Sequence, residues 1–220
     1  MRALHFRSPH HLLVWLAITA CSSAAGRGAQ TSPQPAPSDV AQGAATKPKG
    51  NYPYTKADVG FMSHMIAHHA QALVMAGWAA THGASPTVRT LAGRIINGQQ
   101  DEIATTQRWL RDRGQPVPQV ASAPQGMHSE HAMMPGMLTE AQMKELDRAR
   151  GAEFDRLFLT YMIQHHQGAV TMVNDLFGTE GAAREQTTFK LANDVNVDQS
   201  TEIARMQRML AALPSGSGAP

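Results

Sequence analysis

Cysteine is almost absent from this 220-residue chain, where Cys21 stands alone. A single thiol forms neither an internal disulfide nor a thiolate cluster. A metal site here must therefore use His, Met, carboxylate or amide groups. An excess of one charge is also lacking. The 19 basic side chains outnumber the 17 acidic ones only through Arg2 and Arg7, in a segment (residues 1–20) that holds no acid. Without that segment the two signs balance, and no clustered basic face is left for nucleic acid. The apolar run Leu12–Ala20 is too short to span a bilayer. Strand-like alternation, a phosphate-binding glycine loop, a Ser/His/Asp arrangement and a zinc-protease motif are all missing. No catalytic motif is left to read, and the chain is not expected to be an enzyme.

The first 20 residues have the pattern of an export signal, with Arg2 and Arg7 ahead of Leu12–Ala20. Ile18-Thr19-Ala20-Cys21 resembles a bacterial lipobox, which implies cleavage before Cys21 and lipidation of its thiol. The alternative is an ordinary signal peptide with Cys21 incidental. Both predict a protein of the bacterial cell envelope, on the periplasmic side. The first adds a membrane anchor through lipid on Cys21. Residues 21–54 are rich in Ala, Gly, Ser, Pro, Thr and Gln and bury too little to order themselves, so they read as a tether. Residues 214–220 read as a disordered tail.

What is present is a repeat. At a constant offset, Asp58, Phe61, Met65, Ile66, His68, His69, Ala72 and Met75 match Asp155, Phe158, Met162, Ile163, His165, His166, Ala169 and Met172. Further on, Leu91, Gln99, Glu102, Ile103, Gln107 and Leu110 match Leu191, Gln199, Glu202, Ile203, Gln207 and Leu210. The repeating unit is a helical hairpin. Its first helix starts at a Thr55 cap and stops at His82-Gly83; the second follows Ser85-Pro86 and ends before Gly114. A third helix runs from Thr139, with the capping-box partner Gln142, to about Phe177, with an irregularity near Gly151. A fourth runs from about Ala182 to Leu213. Two such hairpins bury their apolar faces best against each other. The expected fold is all-α: an antiparallel four-helix bundle over residues 55–213, with a longer connection at 114–138.

Phe61, Met65, His68, Ala72 and Met75 follow alternating steps of four and three, as do Phe158, Met162, His165, Ala169 and Met172. That spacing holds one seam of a packed helix, so His68 and His165 face the core. His69 and His166 fall on a second apolar row. Gln99, Glu102, Gln199 and Glu202 occupy seam positions at comparable depth. Buried imidazoles and carboxylates are costly unless paired or bound to metal.

Three readings suit this layer. It can be a metal site, with imidazole donors from His64, His68, His69, His165 and His166, which suit copper, zinc, iron or nickel, and thioether donors from Met65 and Met162, which select copper(I) or silver(I). Glu102 and Glu202, with Gln99 and Gln199, would then orient the imidazoles. It can be a metal-free polar layer that fixes helix register in a structural or partner-binding bundle. Or it can be a ferritin-like di-iron oxidase, although the core helices lack the Glu-x-x-His spacing that such sites use. Separately, Met127, His128, His131, Met133, Met134 and Met137 crowd the long connection, a composition suited to a soft-metal loop.

The pattern Asp-x-x-Phe-x-x-x-Met-Ile-x-His-His-x-x-Ala-x-x-Met, at Asp58–Met75 and again at Asp155–Met172, resembles domain-of-unknown-function family 305. The following Gln-x-x-Glu-Ile, at Gln99–Ile103 and Gln199–Ile203, extends the resemblance over about residues 55–213. It implies a ferritin-like helical bundle of the bacterial envelope. Some members, the CopM-like proteins, are implicated in copper binding and resistance, so the resemblance implies copper, as Cu(I) or Cu(II), for sequestration, tolerance or delivery, with the family's metal candidates falling on Met65, His68, His69, Met75, Met162, His165, His166 and Met172.

Overall fold

A computed structural model describes residues 53–119 and 134–214. The export signal, Cys21, most of the tether, and Met127, His128, His131 and Met133 lie outside the described residues. Among these residues there are five helices: α1 (Lys56–Trp78), α2 (Pro86–Asp112), α3 (Glu140–Arg148), α4 (Gly151–Gly178) and α5 (Gln186–Ala211). Among the described residues, none is long and apolar enough to cross a membrane.

Local chemistry starts α1, α2 and α3 where the sequence indicates. Thr55 caps α1 in a capping box: its hydroxyl accepts from the Asp58 amide at 3.2 Å, and its own amide donates to the Asp58 carboxylate at 2.6 Å. Ser85 caps α2 ahead of Pro86, and Thr139 with Gln142 boxes α3. Glu185 caps α5. Its carboxylate also accepts from Trp109 Nε1 at 2.9 Å and pairs with Arg113 at 3.3 Å. Burial alone would raise its pKa. The hydrogen bonds from Trp109 and from Thr188 and Thr187 outweigh burial and bring it down to about 2.

The expected single third helix is two. Ala149 and Arg150 are extended and Gly151 has φ of 59°, which separates α3 from α4. The cause is tertiary: the Gly151 amide donates to His82 O in the α1–α2 turn at 2.9 Å. His82 itself is buried, with Nε2 on the Asp147 carbonyl at 2.8 Å. The bundle is thus four long helices plus a short one. The last helix starts four residues later than expected, because residues 179–185 are drawn across to α1.

That crossing fixes how the hairpins meet. The buried Asp58 carboxylate accepts from the Ala183 amide at 2.7 Å, in the α4–α5 turn. Its repeat partner Asp155, also buried, accepts from the Ser85 amide at 3.1 Å and 3.2 Å, in the α1–α2 turn. The start of α1 therefore sits beside the end of α4, and the start of α4 beside the end of α1, so the two are antiparallel. Trp109 and Arg113 at the end of α2 meet Glu185 at the start of α5, so these two are antiparallel as well.

Two apolar clusters fill the interior. One gathers Met75, Leu91, Ile95, Phe154, Phe158, Met162 and Met206. The other gathers Phe61, Met65, Ile66, Ile103, Trp109, Met172 and Val195. Along α1 and α4 the paired histidines lie between the residues of the first cluster and those of the second.

Candidate metal centre

The heptad-like seams bring His68 of α1 and His165 of α4 face to face, with ring centroids 3.9 Å apart and planes tilted by 40°. One residue on, His69 and His166 rotate away to meet the second helix of their own hairpin. His69 Nε2 lies 2.6 Å from Glu102, and His166 Nε2 lies 2.7 Å from Glu202. The second contact is an aligned hydrogen bond, whereas the first is close but misaligned. All four imidazoles are fully buried, and Gln99 and Gln199 are nearly so.

Polar atoms in a protein interior nearly always find a partner. Among the described residues, the Nδ1 atoms of His68, His69, His165 and His166 have none, nor do His165 Nε2, both polar atoms of the Gln99 amide, or Gln199 Oε1. These atoms lie at one level of the bundle, along the histidine layer. The partners that do exist fix where the protons are. His68 Nε2 faces the Pro135 carbonyl at 3.0 Å, so it must donate, and the Nδ1 lone pair is left free. His166 Nε2 donates to the Glu202 carboxylate, with the same result. Burial, then the neighbouring His69, lowers the His68 pKa to about 3. Burial and then His68 push His165 well below the ordinary histidine value. Both rings are therefore neutral at pH 7 and hold lone pairs that a metal can take.

Met65 and Met162, one turn before their histidines, are fully buried, as is Met75, and Met172 nearly so. Met65 joins Met172 in one apolar cluster, and Met75 joins Met162 in the other. His64 is exposed and does not enter the layer. Among the described residues, no three His, Cys, Asp or Glu side chains are gathered closely enough to hold an ion. The donors stand as pairs: His68 with His165, His69 with Glu102, His166 with Glu202.

The end of the Met/His connection is no free loop. Met134 packs against one apolar cluster, and Met137 is buried. Pro135-Gly136 turns tightly across α4, with Gly136 at φ of 77°. A Cβ on Gly168 would lie 2.0 Å from Pro135 O, so only glycine allows this approach. Gln71 then clamps Leu138, two residues on, donating to Leu138 O at 3.0 Å and accepting from Leu138 N at 2.8 Å. This strap puts the Pro135 carbonyl on His68. Gln71, Pro135 and Gly168 escaped the sequence reading because contacts made to backbone leave no residue pattern at the partner position.

On the opposite side, α2 and α5 leave a cleft of about 340 Å³. Its lining includes Gln99, Glu102, Asp198, Gln199 and Glu202.

The profile of the family described as "Domain of unknown function (DUF305)" matches residues 58–210. Among solved structures, a DUF305 fragment from Deinococcus radiodurans is 34% identical, with a TM-score of 0.62, over 73% of this chain and 99% of that one. CopM in its Cu(II)-bound form is 31% identical, with a TM-score of 0.56, over 70% of this chain and 95% of that one. CopM in its Cu(I)-bound form is 28% identical, with a TM-score of 0.56, over 74% of this chain and 100% of that one. No curated protein matches the chain. The doubled His-His motif, the helical bundle that carries it and the matched profile together make this chain a member of the DUF305 family.

Proposed function

We propose that the chain binds copper in its histidine layer and serves to sequester or pass on the ion outside the cytoplasm. The observation that carries this reading is the set of four buried Nδ1 atoms without partners. A purely structural polar layer would satisfy them, since each orphan costs about 1–3 kcal/mol. The donor chemistry fits. Imidazole suits copper in either oxidation state, and thioether favours Cu(I). His68 and His165 would hold the ion through Nδ1, with buried methionines one turn away on each side. Glu202 would orient His166, and Glu102 would do the same for His69 once the pair aligns. The likeness to CopM, solved in Cu(I)-, Cu(II)- and Ag-bound forms, supports copper among the metals that imidazole and thioether suit. The signal-like start and the Ile18–Cys21 lipobox pattern support an envelope location, with lipid on Cys21.

The test is an anaerobic Cu(I) titration against a competing chelator. The wild-type protein is compared with a His68→Ala/His165→Ala double variant, and the fold of both is checked by circular dichroism. Stoichiometric binding that drops at least about 100-fold in the folded variant is the expected result. Wild-type protein that never competes with the chelator would refute the reading and leave the layer as architecture.

A further inference from the structure

The histidine layer has two long sides, and they differ in access. On the α1/α4 side, Pro135 and Gly136 lie directly on Gly168, and Gln71 holds Leu138 in place. Among the described residues, backbone is packed directly against backbone there. On the α2/α5 side, the 340 Å³ cleft comes within one residue of the layer: Glu102 and Glu202 line it, and these carboxylates touch the buried His69 and His166.

The lining is sorted along its length. Since α2 and α5 are antiparallel, Arg94 and Arg205 come to one end, and Glu102 and Asp198 to the other. Negative charge is concentrated at the acidic end. Burial and then the nearby Glu102 and Glu202 raise the Asp198 pKa. Deeper in, Gln99 and Gln199 line the same cleft, nearly fully buried, with unpartnered amide atoms. The exposed Asp198 carboxylate, the buried Gln99 and Gln199 amides, and Glu102 and Glu202 with His69 and His166 behind them form a graded series of donors. Each step can replace part of an ion's hydration.

We propose that the α2/α5 cleft is the route by which a hydrated metal cation reaches and leaves the histidine layer, with Asp198 capturing it and Gln99 and Gln199 as transit donors. This rests on the metal-binding reading above. Gly98 lies on the cleft wall, and a Cβ there meets nothing within 4 Å, so a larger side chain can plug the route without strain.

Silver(I), a redox-stable stand-in for Cu(I), is the probe. Apo protein is mixed with radioactive silver nitrate, and free ion is scavenged by excess thiol at timed intervals. Release is followed by dilution into the same thiol. Gly98→Leu should slow uptake and release by the same factor, about tenfold, and leave affinity unchanged. Asp198→Asn should slow uptake by about three- to tenfold at low salt, with the difference fading as salt rises. Glu153→Gln, exposed on α4, should behave as wild type. Wild-type rates in both Gly98→Leu and Asp198→Asn would overturn the route while the metal reading stands. Wild-type protein that takes up no silver would remove both.

Discussion

The two sides of the histidine layer obey opposite rules. Where the strap crosses, every group named here is satisfied: the Pro135 carbonyl has His68, and both backbone groups of Leu138 have Gln71. Where the cleft opens, Gln99 keeps neither partner and Gln199 lacks one. The strap's backbone groups are all taken up, whereas the amides on the cleft side are held without partners at a cost in stability. The strap side is selected for rigidity, and the cleft side is left unfinished.

Acid gives the largest expected effect, because it attacks the layer from both sides at once. In the unfolded chain His68 and His165 take a proton near pH 6.5; in the fold His68 resists until about pH 3, and His165 is also lowered. The unfolded state therefore binds more protons across that window, and stability must fall as pH drops below about 6.5. Urea midpoints of the apo protein, measured from pH 7.5 down to pH 4, should fall steadily. A flat profile would mean that the imidazoles are not held neutral.

Gly168→Ala comes next and tests the closed side. The added methyl meets the Pro135 carbonyl, and the nearest obstacles are backbone that cannot rotate away. A loss of about 3 kcal/mol is expected, read from chemical denaturation. Unchanged stability would show that the strap is not seated. The smallest effect should have the opposite sign. Gln99→Leu on the open side replaces an unpartnered amide with an apolar group of similar size. It should stabilise the apo protein by about 1 kcal/mol while weakening metal uptake. A destabilised Gln99→Leu protein would mean that the amide is already satisfied, and the contrast between the sides would collapse.

Much of this could be read from residue spacing. Steps of three and four placed His68 and His165 on the inner seam. The second repeat placed Gln99, Glu102, Gln199 and Glu202 at the same level, and the capping residues marked most helix starts. What escaped was set by backbone partners in distant segments. The break at Gly151 depends on the His82 carbonyl, and the start of α5 depends on Asp58 reaching Ala183. The doubling of Asp58 and Asp155 was visible, but nothing in their neighbourhoods named the amides they serve. His64 shares a turn with His68, yet lies one position off the seam and ends in solvent.

Those two aspartates carry a consequence for ancestry. Each hairpin supplies one carboxylate and receives the other in its turn, so the contact is a handshake related by an approximate two-fold axis. A gene coding for a single hairpin could have made the same handshake with an identical twin, as a symmetric dimer. Its lone inner histidine would have met its own copy across that axis, where His68 now meets His165. Duplication and fusion would then have freed the halves to diverge. One sign of this is Tyr161, which stands where the first half keeps His64.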